Sequence, residues 1–176
     1  MIPLLAALAL SPAHAGDNLV LDATVQGVST ETGTTGGLAL GARADLMRFY
    51  GSVEGQAVTG DLWSGRASAG LDLLQLTDAV DLEVGVFSGA GGGLADPSMG
   101  LTPLAGAELG LGLHMGRVGL TWRHSFELAS DWEADRVRLG VDVLDRARVF
   151  GQYTRLTPGA EESSRDSVGV GVALVF

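Results

Sequence analysis

Apolar and polar residues alternate with a period of two along most of the chain, from residue 18 to the C terminus. The 3.6-residue repeat of an amphipathic helix is weak throughout. Because successive side chains of a strand point to opposite faces, the alternation predicts strands with one apolar face and one polar face. The predicted strands number ten and cover residues 18–28, 37–46, 49–58, 65–73, 79–88, 104–114, 117–127, 136–144, 147–155 and 167–176.

The connections between the predicted strands alternate in length. Tight turns on one side and longer loops on the other are the pattern of an up-and-down membrane barrel. An even number of strands places both chain termini on the side of the short turns. Short connections are expected near 47–48, 74–78, 115–116 and 145–146, and longer ones at 29–36, 60–64, 89–103, 128–135 and 156–166.

The two faces of these strands differ sharply in charge. We expect the apolar face to meet lipid and to be free of Asp, Glu and Arg, because an Arg at the bilayer midplane costs about 2–4 kcal/mol. Closure into a barrel would pair the backbone groups that hydrocarbon cannot solvate. The opposite face is expected to line a lumen with Asp22, Arg43, Asp45, Glu54, Arg66, Asp72, Asp81, Glu83, Glu108, Arg123, Glu127, Arg136, Arg138, Asp142 and Arg148.

The composition of the chain excludes several classes of function. A formal net charge of −10 without a basic cluster argues against nucleic-acid binding. The chain contains no cysteine, which excludes disulfides and Cys-ligated metal sites, and no cofactor or metal site is predicted. After residue 15, no apolar run reaches the ~18 residues of a transmembrane helix. The 46% hydrophobic content is therefore expected to lie on strands.

The first fifteen residues are predicted to be a signal peptide. Ile2–Leu10 forms an apolar segment, Pro12 interrupts it, and Ala13-His14-Ala15 fits a small-residue cleavage site. Cleavage there would leave residues 16–176 as the barrel. The positively charged segment that usually precedes the apolar segment is missing, so we expect the true start codon to lie upstream.

The last strand has a distinctive pattern. Val168, Val170, Val172, Leu174 and the terminal Phe176 share one face of residues 167–176, and small residues alternate with them. This pattern resembles the C-terminal assembly signal of bacterial outer-membrane β-barrel proteins. The resemblance implies an antiparallel up-and-down transmembrane barrel in the outer membrane, with periplasmic termini. It also implies contact with outer-membrane lipids and lipopolysaccharide, and recognition by the barrel-assembly machinery. Eight strands are the alternative, if 49–58 and 65–73 are segmented wrongly.

The charged inner face has two interpretations. Interleaved acids and arginines would satisfy one another in a polar core, since a buried charge survives only when paired. That interpretation predicts a mostly plugged, non-enzymatic barrel that supports the envelope and presents loops. The alternative is a narrow, porin-like passage for ions or small solutes with a mild preference for cations. It depends on inward glycines leaving unfilled volume, at positions 41, 70, 85, 106, 110, 112, 119, 140, 169 and 171.

A lipid-modifying enzyme is the third interpretation. His124 is the only ionisable residue expected to face lipid, and it lies beside Trp122 and Phe126. Some outer-membrane lipid A deacylases carry a lipid-facing His with a Ser two residues further on. Here Ser125 follows directly and would point to the opposite face, so no catalytic residue is predicted. Trp63, Trp122 and Tyr153 are instead expected near the outer membrane interface.

Overall fold

The structure is a computed structural model, and it describes residues 18–30, 33–58, 62–76, 79–93, 102–128, 133–157 and 165–176. The predicted signal peptide lies outside these residues. Ten strands account for nearly all of the described chain. They are β1 (Asn18–Thr30), β2 (Gly33–Leu46), β3 (Phe49–Val58), β4 (Leu62–Leu76), β5 (Val80–Gly93), β6 (Thr102–Met115), β7 (Val118–Glu127), β8 (Glu133–Leu144), β9 (Ala147–Thr157) and β10 (Arg165–Val175).

The strands form one closed barrel in which every neighbouring pair is antiparallel. This confirms the prediction of an up-and-down barrel with ten strands rather than eight. β1 and β10 close the cylinder, and at this seam the backbone N–H of Phe176 donates to the carbonyl of Leu19 at 2.9 Å. Leu19 donates back to the carbonyl of Phe176 at 3.3 Å. Closure leaves no strand edge unpaired. No helix in the described part of the chain is long and apolar enough to cross a membrane.

The two ends of the barrel differ in their connections. At the short-turn end, two residues join β2 to β3, β6 to β7 and β8 to β9, and both described chain ends lie there. At the long-loop end, eight residues separate β5 from β6 and seven separate β9 from β10.

Two of the predicted longer connections are wrong. At 60–64, β4 already begins at Leu62, and three residues separate it from β3. β1 and β2 stay paired up to Thr30 and Gly33, so two residues replace the longer connection expected at 29–36. This segment is rich in Ser, Thr and Gly and lacks apolar alternation, but a backbone ladder needs no apolar side chains. Several other strands extend beyond their predicted limits at the same end, β8 beginning at Glu133 rather than at 136.

The outer wall of the barrel is apolar and the inner wall is polar, as the alternation predicts. Large aliphatic side chains point outward with about half of their surface exposed or more, as at Val25, Leu40 and Val170. In water, a continuous apolar surface of this kind would favour aggregation. In a bilayer it matches the hydrocarbon band that surrounds a membrane barrel.

Candidate functional site: the lumen and the outer polar row

The predicted lumen charges all lie on the inner wall. Twelve of the fifteen are at most 7% exposed, while Asp45, Asp72 and Asp142 are partly exposed near the short-turn end. Since most of these side chains are inaccessible to water, they must find partners inside the protein.

Glu83 on β5 joins two arginines from different sides of the barrel. The Nη1 and Nη2 atoms of Arg43, on β2, donate to its carboxylate at 3.0 and 2.6 Å. Nη2 of Arg123, on β7, donates to the same carboxylate at 2.7 Å. Arg43 also donates from Nε to Asp45 at 2.7 Å. The bonds cross the interior between non-adjacent strands, so they fill the lumen rather than line it.

Glu108 on β6 forms a second centre beside the first. Tyr50 donates its hydroxyl to Oε1 at 2.7 Å, and Nη2 of Arg66 donates to Oε2 at 3.1 Å. Nη1 of Arg123 reaches Oε1 at 3.4 Å. Arg123 therefore links the carboxylates of Glu83 and Glu108. We call these two glutamates, with Arg43, Tyr50, Arg66 and Arg123, the central network.

The opposite side of the lumen is filled by Arg138. Its guanidinium lies 3.9 Å from the ring centroid of Phe150, a cation–π arrangement. Nε and Nη2 donate to the side-chain oxygen of Gln152 at 3.2 and 2.7 Å. Nη2 also lies 3.8 Å from a carboxylate oxygen of Asp22. These contacts join β8, β9 and β1 on the side away from the central network.

The short-turn end of the lumen is acidic. His114 Nε2 lies 3.0 Å from Asp81, and Arg148 forms two bonds with Asp142 at 2.7 and 2.9 Å. Asp45 and Asp72 are near the same end of their strands. Among the lumen side chains at this end, the carboxylates of Asp45, Asp72, Asp81 and Asp142 outnumber Arg148, while Arg48, Arg117 and Arg146 lie in the surrounding turns.

Three aromatic rings that were not among the predicted lumen residues help to fill the lumen. Tyr50, Phe87 and Phe150 are buried on the inner wall. Arg43 lies 4.3 Å from the centroid of the Tyr50 ring, and Arg66 lies 4.8 Å from that of Phe87. Their inward direction could have been predicted, because residues 50, 87 and 150 alternate with the lipid-facing residues of their strands.

The inward glycines make room for these large side chains. A Cβ at Gly70 or Gly85 would collide with the Tyr50 ring or its hydroxyl. The expectation that such glycines leave the lumen unfilled is therefore wrong at these positions, because side chains from neighbouring strands occupy the space. The same relation holds for Gly106 with Phe87, Gly171 with Phe150, Gly112 with Asp81 and Gly140 with Arg148.

The lumen changes character towards the long-loop end. Val28, Val58, Leu104 and Leu156, here called the apolar collar, are buried on the inner wall near that end of their strands. Between the collar and the central network lie buried polar atoms without a hydrogen-bond partner among the described residues. They include both carboxylate oxygens of Glu54, Nε and Nη1 of Arg136, Oε1 of Gln56 and the hydroxyl of Ser64. Buried polar atoms of this kind are usually satisfied by water.

The outer wall carries a row of polar side chains that the sequence reading missed. His124, Asp135, Arg155 and Asp166 are adjacent across β7, β8, β9 and β10 and point outward; we call them the outer polar row. The expectations that this face is free of Asp, Glu and Arg and that His124 alone is ionisable on it are both wrong, and Arg155 lies within the predicted strand 147–155. Arg155 shares the outward face of β9 with Tyr153. Asp135 belongs to the outward face of β8, because that strand begins at Glu133 rather than at residue 136.

Two of the predicted interface aromatics donate hydrogen bonds to this row. Trp122 Nε1 donates to Oδ1 of Asp135 at 3.1 Å, and the Tyr153 hydroxyl donates to Oδ1 of Asp166 at 2.8 Å. His124 Nδ1 lies 3.1 Å from Oδ1 of Asp135, and its ring stacks on Trp122. Aromatic residues beneath a polar row are typical of a membrane interface. The third, Trp63, is partly exposed near the long-loop end of β4.

Among the described residues, the serine next to His124 in sequence does not lie beside its imidazole. Ser125 is buried on the inner wall, so its hydroxyl and the imidazole lie on opposite faces of the sheet. Within the described residues, no group of three or more His, Cys, Asp or Glu side chains is placed to hold a metal ion.

The residues of the predicted assembly signal form the outward face of β10 and its terminal residue. All five are exposed, from 47% at Leu174 to 66% at Val170. β10 lies between β1 and β9, so the same strand both carries this face and closes the barrel.

Comparison with solved structures shows the fold. The NanC porin superposes with a TM-score of 0.54 at 11% identity, covering 88% of this chain and 98% of the porin. Outer membrane phospholipase A from Escherichia coli gives 0.52 at 13% identity, covering 92% and 97%. The Salmonella typhi phospholipase gives 0.50 at 13% identity, covering 90% of each chain. The chain thus has the outer-membrane β-barrel fold, which porins and enzymes share. No protein-family model and no curated protein sequence matches it.

Proposed function

We propose that this protein is a non-enzymatic barrel of the bacterial outer membrane with a filled, charged lumen. Its apolar wall contacts outer-membrane lipids and lipopolysaccharide, and the assembly machinery reads β10 during insertion. The termini face the periplasm, and the loops after β5 and β9 are presented outside. The observation that carries the proposal is the central network, in which Glu83 and Glu108 bind arginines from β2, β4 and β7.

The central network supports a barrier to ions for a physical reason. A conducting pore needs a continuous column of water, but the charged groups of this network are at most 5% exposed. Opening a path would separate Glu83 from two arginines and leave buried charges unpaired. Breaking one such pair typically costs about 3–5 kcal/mol.

Planar-bilayer conductance tests this proposal. The wild-type protein is expected to be silent, whereas the triple variant R43A/E83A/R123A gives steady steps that scale with salt concentration. The control R48A/D145A/R146A removes two arginines and one acid from exposed turns and stays silent. Heat-modifiable gel mobility verifies that each variant is folded. Steady salt-proportional steps from the wild type would overturn the filled lumen.

A narrow passive channel is the second candidate. Buried polar atoms around Glu54 and Arg136 that make no hydrogen bond support it, because they favour water in the long-loop half of the lumen, although Glu54 also lies 3.5 Å from Nε of Arg66. The lumen carboxylates of the short-turn end would favour cations over anions. If the wild type conducts, the reversal potential in a salt gradient is expected to show cation preference.

A lipid-modifying activity has little chemical support. Ser125, the serine next to His124 in the described chain, lies on the inner wall, whereas acyl transfer needs a nucleophile within reach of the His124–Asp135 pair. We expect His124→Ala to leave the lipid A profile of the producing cell unchanged in mass spectrometry. A change that tracks with His124 would point to an enzyme.

A further inference from the structure

The ionisable side chains of the outer wall lie on one side of the barrel. Among the described strand residues, the outward-facing ionisable residues are all on β7 to β10, towards the long-loop end, whereas the outward positions of β1 to β6 carry none. The hydrocarbon layer of a bilayer has the same thickness on every side of a barrel. A barrel surrounded only by lipid would therefore have an apolar band of even height. The residues concerned are His124, Glu133, Asp135, Arg155 and Asp166.

We propose that the outer polar row is one half of a two-fold interface with a second copy of this chain. The axis would run parallel to the barrel between β8 and β9, so that β8 of one copy faces β9 of the other. A two-fold interface brings together the same patch from both copies, which must be complementary to itself. Here Asp135 of each copy would face Arg155 of the second copy, and this contact would occur twice.

The side chains of this pair are available for such a contact. Arg155 is 55% exposed, and its ion pair within the described chain is a loose one, 3.9 Å from Nε to Asp166. Asp135 is 44% exposed. The hydrogen bonds from Trp122 and His124 both reach its Oδ1 atom. A guanidinium–carboxylate contact is among the strongest polar contacts, and a membrane environment strengthens it further.

The wall below the row suits a protein neighbour. Val137 and Leu139 on β8 and Val149 and Tyr153 on β9 are exposed and would lie beside the proposed axis. The charge of the row argues against lipid phosphate as its occupant. Arg155 is the only arginine at the outward positions of the described strands, and Asp135, Asp166 and Glu133 lie beside it, so the row has no cluster of basic groups to bind a phosphate.

Charge reversal tests the pairing directly. D135R alone would place two arginines in each contact, and R155D alone would place two carboxylates there. We expect each variant to form at least tenfold less dimer than the wild type. An equal mixture of the two is expected to regain dimer, because both contacts of the mixed pair then join opposite charges. The double variant D135R/R155D is expected to dimerise by itself.

A single introduced cysteine gives the readout, since the chain has none of its own. Gly151 and Gly55 are both outward glycines where a new side chain meets nothing within 4 Å. G151C lies on β9 beside the proposed axis, and G55C lies on β3 on a different wall. In lipid vesicles at one protein-to-lipid ratio, a short bis-maleimide is expected to cross-link G151C into dimers and to leave G55C monomeric.

The outcome that overturns the proposal is equally definite. Cross-linking of G151C no greater than that of G55C would mean that lipid or another protein covers the row. Equal cross-linking with and without D135R, or failure of the mixture to recover, would exclude the Asp135–Arg155 contact. If the reversals do not fold by heat-modifiable mobility, D135N and R155Q take their place, and retained dimer in both would contradict the proposal. The proposal rests on membrane insertion but not on whether the lumen conducts.

Discussion

The inner and outer walls of the barrel use the same charged residue types in opposite ways. Inside, the Arg123 side chain is 3% exposed and is bound by two carboxylates. Outside, Arg155 is 55% exposed and lies 3.9 Å from its acid. A buried charge depends on its partner, whereas an exposed pair usually contributes about 0–1 kcal/mol. Removing the partner of an inner charge is therefore expected to destabilise the fold, whereas the outer charges are available for recognition.

The largest expected effect concerns assembly, which we assign to the outer wall. Removal of Phe176 deletes the last outward aromatic and the paired backbone bonds with Leu19 at the seam. The truncated protein is expected to be secreted but to reach a small fraction of the wild-type level in the outer membrane, measured by fractionation. Glu83→Ala serves as the inner-wall comparison and is expected to insert. Normal membrane levels without Phe176 would show that the seam does not direct insertion.

Removal of one inner carboxylate is the next largest effect. Glu83→Ala leaves Arg43 and Arg123 without their shared acid, and the expected loss in free energy of unfolding is about 3–5 kcal/mol. Asp166→Ala on the outer wall is the matched control, with a change of about 1 kcal/mol or less, because its contacts to Tyr153 and Arg155 are exposed. Urea unfolding in lipid vesicles, followed by tryptophan fluorescence, measures both. Equal losses in free energy of unfolding for the two variants would contradict the difference between buried inner charges and exposed outer charges.

Glycine substitutions sharpen the comparison through packing. A Cβ at Gly106 would meet the Phe87 ring and the carbonyl of Phe126, so Gly106→Ala is expected to cost about 1–3 kcal/mol. Gly55→Ala on the outer wall meets nothing within 4 Å and is expected to be neutral or slightly stabilising. The same urea titration applies. A neutral Gly106→Ala would mean that the lumen has spare volume there.

The smallest expected difference between the two walls comes from one hydroxyl on each. Tyr50→Phe removes the 2.7 Å hydroxyl donor of buried Glu108 Oε1, which keeps only the longer 3.4 Å contact from Arg123, and is expected to cost about 1–3 kcal/mol. Tyr153→Phe removes an exposed bond to Asp166 and is expected to cost about 1 kcal/mol or less. Unfolding of the two variants in parallel gives the difference. A larger loss at Tyr153 would reverse the assignment of roles.

The sequence predicted the barrel well because lipid imposes one strict rule on alternate residues. Strand number, closure and the inward position of the charges all follow from that rule. Lipid imposes no alternation beyond the edge of the hydrocarbon layer. The paired segment around Thr30 and Gly33 lacks apolar alternation and was therefore predicted to be a loop. The same limit hid Asp135 and its contact with His124.

The pairing of lumen charges could not be predicted, because partners such as Arg43 and Glu83 lie far apart in sequence and on non-adjacent strands. Which acid meets which arginine depends on strand stagger and on ring positions across the interior. Period-two alternation fixes the face of each residue but gives no distance across a barrel.

Phe87 and Gly106 illustrate a constraint on the protein's history. The ring and the carbonyl of Phe126 occupy the space that a side chain at position 106 would need, so a larger residue there requires a smaller one at 87 and a shift of the β7 backbone. Across descendants of a common ancestor, loss of the glycine at 106 is therefore expected to be rare and to be accompanied by a smaller residue at 87. This linked change would persist among related sequences even where overall similarity has vanished.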